Sequence, residues 1–448
     1  MKRRSFIQNT TALSAGLLLP TSPQYSNKSQ LKIAVIGTGL RGQGHIDLLL
    51  RRDDVTVVAT ADPDTRMNRE TLQMFKDRGV TAPKAYTKGN RDYLRMLDAE
   101  RPDAVIIATP WEWHVEQAVA CLERNIYVGL EVAGGLSVND SWQLVRAQEA
   151  SSTHLYFLEN VCFRRDVMAV LNMVRQDLFG ELIHLECGYQ HDLRGVKFND
   201  GKTPYNSGVD FGEKGYSEAK WRTQHSINRN GELYPTHGIG PVAQYININR
   251  GNRLTHLTSM ASKSRGLHNY VVNHPKGGED HPSAQVNFSL GDKVTTMLRC
   301  HNGETIVMHH DTSLPRPYSL GFRVQGTKGL WMDLNDSLHI EGTSPAHRWE
   351  SDEDYMKAYD HPLWKKYAHK AEGAGHGGMD YFLVNSFVEH AKRVERPPFD
   401  VYDAATWMAI TPLSEQSIAM GSMPQAIPDF TNGQWATTPS TFALSDEY

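Results

Sequence analysis

Leu31-Lys32-Ile33-Ala34-Val35-Ile36-Gly37-Thr38-Gly39-Leu40-Arg41-Gly42-Gln43-Gly44 is the stretch whose reading decides the fold. Ile33 to Ile36 is an apolar run of the kind a buried parallel strand needs. Gly37-Thr38-Gly39-Leu40-Arg41-Gly42 follows it as a G-x-G-x-x-G turn. A second strand-like run, Val55 to Thr60, leads to Asp62, 25 residues after Gly37. Strand, glycine turn, helix, strand and terminal acid together compose a dinucleotide-binding fingerprint. Gly37 permits the tight turn, Gly39 lets the backbone approach a pyrophosphate, and Gly42 lets the helix pack close to the strand. The helix N-terminus then offers its partial positive charge to the phosphates. An acid at position 62 suits a ribose 2′-hydroxyl and repels a 2′-phosphate, so NAD is expected rather than NADP, although nearby Arg66 pulls the other way.

The same alternation of strands and helices continues outward from this stretch. Ala104 to Ala108 reads as a buried strand stopped by Pro110. Ligands of open parallel sheets lie beyond the carboxyl ends of the strands, which puts Trp111-Glu112-Trp113-His114 beside the cofactor. Ile126 to Leu130 is another strand and ends at Glu131, again at the ligand edge. Leu155 to Leu158 leads to Glu159-Asn160. After Arg165 the pattern changes to strands separated by hairpin signals: 183–189, 253–260, 283–290, 294–299, 304–310, 318–325 and 329–334. Two glycine-rich segments, 192–220 and 268–281, read as loops long enough to bind something. Segments 377–393 and 403–422 read as late helices. The expected fold class is therefore an α/β Rossmann doubly wound parallel sheet, then an α+β domain with a large, mainly antiparallel sheet. The expected domain limits are 1–30 for a leader, 31–155 for the NAD-binding domain and 156–448 for a substrate domain whose late helices pack back on the body.

Composition narrows the function. Hydrophobic residues make up 40% and charged residues 22%, and the formal net charge is −4. With no extended basic block, nothing invites nucleic acid. No run approaches ~18 consecutive apolar residues, so no stable membrane insertion is expected. Cys121, Cys162, Cys187 and Cys300 are widely spaced and read as buried thiols, not as a disulfide or zinc framework. At the N-terminus, Lys2-Arg3-Arg4-Ser5-Phe6-Ile7 precedes a mildly apolar run, Thr11 to Leu19. That order of charge and apolarity reads as a twin-arginine export signal, hence a periplasmic protein. The pathway carries folded proteins, as a chain loaded with a nicotinamide in the cytoplasm would require. The state of oligomerisation is left open.

Two clusters outside the fingerprint carry groups suited to chemistry. One is Gly188-Tyr189-Gln190-His191-Asp192-Leu193-Arg194, where a strand enters a long loop. The other runs from Trp221-Arg222 to Leu233-Tyr234-Pro235-Thr236-His237-Gly238. Tyr234 and His237 are three apart, and face one cleft if a helix starts there. Tyr and His suit proton transfer on a polar substrate, and Arg222 suits lowering a tyrosine pKa or holding an acyl oxygen. His309-His310-Asp311 makes a poor metal site, because neighbours on a strand point to opposite faces. No metal is expected. There is no G-x-S-x-G elbow and no P-loop.

The arrangement resembles the glucose–fructose oxidoreductase / inositol dehydrogenase superfamily. Where that superfamily usually has Glu-Lys-Pro, with the catalytic lysine, this chain has Glu131-Val132-Ala133-Gly134-Gly135. Where it usually has an acid four residues before a catalytic histidine, this chain has Leu233 before His237. Both departures match one branch, glycoside hydrolase family 109, the NAD-dependent α-N-acetylgalactosaminidases. Further marks are Leu158-Glu159-Asn160-Val161-Cys162, Trp221-Arg222, Tyr234-Pro235-Thr236-His237-Gly238 and Pro315-Arg316-Pro317-Tyr318.

That resemblance, running from about Leu31 to about Asp429, implies a cofactor set and a sugar set. Gly37, Gly39, Leu40, Arg41, Asp62, Trp111, Glu112, Trp113, His114, Glu131, Val132 and Asn160 would hold NAD. Tyr189, Arg222, Tyr234, Pro235, Thr236, His237 and Tyr318 would line the sugar site, with Tyr189 and His237 as the proton-transfer groups. It also implies a route: transient oxidation at C3 of the sugar, loss of the acidified C2 proton, elimination at C1, water addition and re-reduction, with no net redox. This is the NAD-dependent exception to hydrolysis by two carboxylates. The substrate would be a glycoconjugate with terminal α-linked N-acetylgalactosamine. The competing readings are a periplasmic NAD(P)-dependent sugar oxidoreductase, which the absence of lysine at position 132 disfavours, and an NAD-holding sugar-binding protein.

Overall fold

β1 (Leu31–Ile36) enters the interior at once, with five of its six residues buried. α1 (Leu40–Leu49), β2 (Val55–Ala61), α2 (Thr65–Asp77), β3 (Lys84–Tyr86), α3 (Asp92–Glu100), β4 (Ala104–Ile107), α4 (His114–Leu122), β5 (Tyr127–Leu130), α5 (Val138–Glu149) and β6 (Leu155–Phe157) follow. The computed structural model describes residues 28–448, so the expected export signal lies outside the described residues. The six strands form one sheet in the order β3-β2-β1-β4-β5-β6, all parallel. β4 and β5 are buried along their whole length. That is why they read as continuous apolar runs instead of alternating ones. β6 reaches Phe157, two residues past the expected domain limit at 155.

After a short 3-10 turn (Asn160–Phe163) come α6 (Arg165–Arg175), β7 (Leu182–Gln190), α7 (Arg194–Lys197), α8 (Arg222–Asn228) and α9 (Thr236–Tyr245). β8 (Leu254–Ala261), α10 (Gly266–Asn273), β9 (Val294–Cys300), β10 (Thr305–Asp311), β11 (Arg323–Gly326), β12 (Gly329–Met332), β13 (Ser337–Ile340) and β14 (Glu350–Ser351) continue the chain. α11 (Glu353–Ala358), α12 (Pro362–Ala371), α13 (Met379–Arg393), α14 (Val401–Ala419) and β15 (Gln425–Ala426) complete it. The second sheet has nine strands in the order β14-β13-β12-β11-β7-β10-β9-β8-β15. It is mixed: the central pair β7 and β10 is parallel, pairing Tyr189 with His310, and the other pairings are antiparallel.

Three local expectations are corrected. Segment 283–290 is not a strand. Pro282–Gln285 is a 3-10 turn capped by the His281 ring, and Ala284 and Phe288 fill a small apolar cluster with Phe198 and Val271. Segment 318–325 is a strand only from Arg323, because Gly321 adopts φ +61° after a single bridge between Ser319 and Gln190. The two long segments are not bare loops, since 192–220 contains α7 and two 3-10 turns, and α10 occupies much of 268–281. All four cysteines are buried free thiols. None of the described helices is long and apolar enough to cross a membrane.

The late helices close the core across the first sheet. α13 lies against α1, β1 and the turn at 160–163. Its Phe387 is fully buried, with its ring 5.9 Å from that of Tyr127 and 6.2 Å from that of Tyr156. Gly129 of β5 makes room for it: a Cβ there would stand 2.8 Å from the Phe387 ring. Farther on, the Phe157 N–H donates to the Phe399 carbonyl at 2.9 Å. Truncating Phe387 to alanine should therefore cost about 3–5 kcal/mol, as large-to-small core changes do. A urea midpoint that moves by less than the equivalent of ~1 kcal/mol would show that α13 does not close this sheet.

Candidate active site

The turn that the fingerprint predicts is built by close approach. A Cβ on Gly42 would fall 2.0 Å from the Gly37 carbonyl oxygen, so only glycine lets α1 start this near β1. Gly39, the N-cap of α1, has no side-chain cap, and no acid stands in the first turn. A Cβ built on Gly39 meets nothing within 4 Å, which leaves space beside uncapped N–H groups. That is the cradle a pyrophosphate needs. A cleft of about 1170 Å³ begins there and runs to the second sheet.

Asp62 lines the same cleft. Its Oδ2 accepts from the Thr38 N–H at 2.7 Å and its Oδ1 from the Asp64 N–H at 2.8 Å. Burial raises its pKa and those backbone donors pull it back. Arg66 is committed elsewhere. Its Nε donates to Glu70 at 2.9 Å, an Nη to the Lys202 carbonyl at 2.9 Å, and its guanidinium lies 3.7 Å from the Tyr216 ring centroid. The residue that pulled toward a 2′-phosphate is thus occupied, and the site fits NAD.

Arg41 sits at the hub of a charged cluster on the cleft wall. Its Nε is 2.5 Å from Glu131 Oε1 and an Nη is 2.8 Å from Asp380 Oδ2. Glu131 also meets His45 Nε2 at 2.6 Å, and Asp380 accepts from Asn160 at 2.7 Å and meets His376 at 2.7 Å. Burial works against the Glu131 charge, yet Arg41 and His45 hold its carboxyl well below the usual carboxylate range. After Val132, the residues Ala133, Gly134 and Gly135 all adopt positive φ (59°, 96° and 71°). The loop wraps the His114 ring, whose nitrogens face the Ala133 carbonyl at 3.0 Å and the Thr109 carbonyl at 2.8 Å. Gly37, Gly39, Leu40, Arg41, Asp62, Trp111, Trp113, His114, Glu131, Val132 and Asn160 all border the cleft. Glu112 does not. It turns to the outer face and lies 3.7 Å from His225.

The proton-transfer candidates stand where the cleft meets the second sheet. Tyr189 is the penultimate residue of β7, and α9 brings His237 over it. α9 packs this closely because a Cβ on Gly240 would stand 2.7 Å from the Glu159 side chain. The ring centroids of Tyr189 and His237 are 5.5 Å apart, those of Tyr189 and Tyr234 are 4.4 Å apart, and those of Tyr234 and His237 are 4.9 Å apart. Arg222 lies 5.2 Å from the Trp111 ring and 5.5 Å from the Tyr234 ring. Burial raises the Tyr189 hydroxyl pKa, and Arg222 draws it back. Burial pushes Tyr234 well above the ordinary tyrosine value. Pro235 and Thr236 are buried beneath the site: the Pro235 carbonyl accepts from the Gly238 and Ile239 N–H groups, and neither side chain faces the cleft. Tyr318 stands at the rim, 45% exposed, with its ring 5.0 Å from His191.

Glu159 and Lys197 are site neighbours whose roles the sequence does not reveal. Glu159, fully buried two residues beyond β6, faces His237 Nδ1 at 2.8 Å. The carboxylate therefore accepts a hydrogen bond from Nδ1–H, which leaves Nε2 without a partner among the described residues. Lys197 is buried behind Tyr189, Tyr234 and Arg222, and donates to Thr312 Oγ1 at 2.9 Å and Ser313 Oγ at 3.2 Å. Burial, with Arg222 nearby, lowers its pKa to about 7. On β10, His310 points inward, 3.3 Å from Glu232, while His309 meets Thr295 at 3.2 Å.

Comparison with known proteins gives concordant findings. The family model for the glycosyl hydrolase 109 C-terminal domain matches residues 163–437. The model for an oxidoreductase family with an NAD-binding Rossmann fold matches residues 31–155. A glycosyl hydrolase family 109 protein of Stenotrophomonas maltophilia is 54% identical over 100% of this chain and 99% of its own length. An alpha-N-acetylgalactosaminidase of Tannerella forsythia is 52% identical over 94% of this chain and 91% of its own. Among solved structures, a levoglucosan dehydrogenase in complex with NADH and L-sorbose aligns with a TM-score of 0.62 at 18% identity, covering 90% of this chain and 100% of that one. An inositol dehydrogenase homolog complexed with NAD+ from Azotobacter vinelandii aligns at 0.61 and 16%, covering 89% and 97%. These two share the fold. Residues 31–155 are thus an NAD-binding Rossmann domain, and the cofactor is NAD.

Lys197 yields a pH test of this geometry. Its folded pKa lies below the unfolded value, so between about pH 7 and the ordinary lysine value of 10.5 the unfolded chain binds more protons. Stability must then rise with pH across that window. Relative to Lys197→Met, the parent protein should gain ~1.4 kcal/mol of unfolding free energy per pH unit between pH 7.5 and 9.5 in urea titrations. A flat difference would mean that Lys197 is charged and solvated.

Proposed function

The chain belongs to glycosyl hydrolase family 109, and from that premise we propose that it releases terminal α-linked N-acetylgalactosamine from glycoconjugates by NAD-dependent chemistry. It is a glycoside hydrolase. The observation that carries the finer reading is a single cleft, which runs from the glycine turn and Asp62 to Tyr189, Tyr234, Arg222 and His237. The full-length likeness to an alpha-N-acetylgalactosaminidase supports the choice of sugar.

The residues divide the work by chemistry. NAD, when bound, supplies a reversible hydride acceptor for C3 of the sugar. With C3 at the carbonyl level the neighbouring C2 proton becomes acidic, and Tyr189 and His237 are the groups placed to move it. Glu159 keeps the His237 proton on Nδ1, so Nε2 is free to act as base and then as acid. Tyr189, whose pKa is raised by burial, stays protonated near neutral pH and donates. Arg222, held among the Trp111, Trp221 and Tyr234 rings, offers fixed N–H donors to an acetamido or carbonyl oxygen. Val132, only 4% exposed, fills the position where a sugar oxidoreductase of the superfamily would carry lysine, which disfavours that alternative.

An aryl α-N-acetylgalactosaminide should be cleaved with no added NAD and no net NADH formation. Run in heavy water, the reaction should place deuterium at C2 of the released sugar, read by NMR. Robust cleavage with no deuterium at C2 would exclude the C2-proton route. We also propose that the chain is exported folded by the twin-arginine route. Replacing Arg3 and Arg4 by lysine should leave it in the cytoplasm with NAD bound, as fractionation would reveal, and normal export of that variant would refute the proposal.

A further inference from the structure

Lys197, His310 and Glu232 are buried ionisable groups that the proposed chemistry leaves unused, and they belong to one chain of contacts. Lys197 Nζ donates to Thr312 Oγ1 at 2.9 Å. Thr312 Oγ1 lies 3.2 Å from His310 Nε2, and His310 Nδ1 lies 3.3 Å from Glu232 Oε1. The four residues are at most 3% exposed. An ammonium only donates, so the Thr312 oxygen accepts from Lys197. The Thr312 hydroxyl proton is then free for His310 Nε2, which puts the ring proton on Nδ1, toward the Glu232 carboxylate. The donors all point one way, from cation to anion. Three other carboxylates bear on the Lys197 charge, but each is committed. Asp192 holds Arg194, Asp292 accepts the Arg265 and Gly266 N–H groups, and Asp311 holds Arg316. Glu232 is the acid that Lys197 reaches through hydrogen bonds.

This chain underlies the two phenols of the site. His310 on β10 is the register partner of Tyr189 on β7. Glu232 stands two residues before Tyr234, and its Oε1 also accepts the Tyr234 N–H at 3.4 Å. A cavity of about 10 Å³ is bordered by Tyr189, Tyr234, Arg222, Lys197, His310 and Thr312. That is room for one water at most, so the phenols and the chain lie almost in contact. None of the four residues borders the cofactor cleft, so they reach a substrate only through the groups they support. A break in the chain would leave two opposite charges buried and unmatched, which protein interiors tolerate poorly. On the reading of a glycosidase acting at Tyr189 and His237, we propose that Glu232, His310, Thr312 and Lys197 are positioning residues. As one hydrogen-bonded unit they tie β10, and with it Tyr189 on β7, to the turn that carries Tyr234 and His237.

The test uses the NAD-loaded protein and an aryl α-N-acetylgalactosaminide. His310→Phe keeps a flat ring and removes both links, whereas His310→Gln offers an acceptor and a donor and can keep both. His310→Phe should lower kcat about tenfold or more with KM unchanged within about twofold, as misplaced reacting groups do, and His310→Gln should restore most of that loss. Bound NAD per chain should be the same in both, because the cofactor cleft is untouched. In urea titrations at about pH 6, where Lys197 keeps its proton, Lys197→Met and Glu232→Leu should each lower the unfolding midpoint. The double variant should unfold at a higher urea concentration than the weaker single variant, since neither charge is then left unmatched. Its kcat should nevertheless stay low, which separates position from stability. Losses that add in the double variant, an unchanged kcat in His310→Phe, a rise in KM alone, or equal kcat losses in His310→Phe and His310→Gln would overturn the proposal. If the parent does not cleave the aryl glycoside, the glycosidase reading fails and takes the positioning role with it, while the urea titrations still decide whether the four groups form one unit.

Discussion

Arg41 is the residue through which the site is tied together. One guanidinium joins the first turn of α1 to Glu131 at the end of β5 and to Asp380 at the start of α13. Asp380 in turn holds Asn160 and His376. Four separate stretches of chain thus converge on one ionic cluster beside the cofactor cleft. Such clusters are costly to desolvate, and they hold only where every charge is matched. Here each carboxylate has at least two donors, and the geometry of the cleft follows from that matching. The cluster lies on the wall of the cleft where a catalytic lysine would stand in a sugar dehydrogenase, and Val132 there contributes no charge to disturb it.

The first domain was largely legible in the sequence because its signals are local. Glycine turn, apolar strands and the acid at position 62 all fall within about thirty residues, and the parallel sheet follows from their alternation. The second domain was legible as a sheet but not as a topology. Nothing local tells β7 that its neighbour will be β10 running parallel, more than a hundred residues later. Segment 283–290 shows the complementary failure: its residues suit a strand, but β9 already occupies the place beside β8, so Phe288 packs into a cluster instead. The site divides along the same line. Tyr234 and His237 sit three apart and were found by spacing. Glu159 and His237 are 78 residues apart, and Arg41 and Asp380 are 339 apart, so neither pairing leaves a mark in a local pattern. Lys197 was invisible for another reason: a lysine in a glycine-rich stretch reads as surface until the fold buries it.

The cleft is therefore lined from both sheets. Each sheet supplies what it is suited to supply. The parallel sheet presents helix N-termini and strand ends, which serve a dinucleotide. The mixed sheet presents the end of β7 and the start of α9, which place a phenol and an imidazole at close quarters. Among the described residues, the acid in contact with this pair, Glu159, faces the histidine ring.

The seating of Phe387 against Gly129 bears on how the chain comes into being. On a ribosome the last strand of the first sheet is complete at Phe157, but the side chain that covers this part of it is made 230 residues later. At typical elongation rates of about 5–20 residues per second, that interval is roughly ten to fifty seconds. Throughout it a patch of the nascent sheet lies bare, a natural landing place for a chaperone. Residues 31–157, though recognisable as a module, are consequently a poor unit for recombination: grafted alone onto another protein they would carry an uncovered apolar face, and any transplant would need to bring the late helix with it.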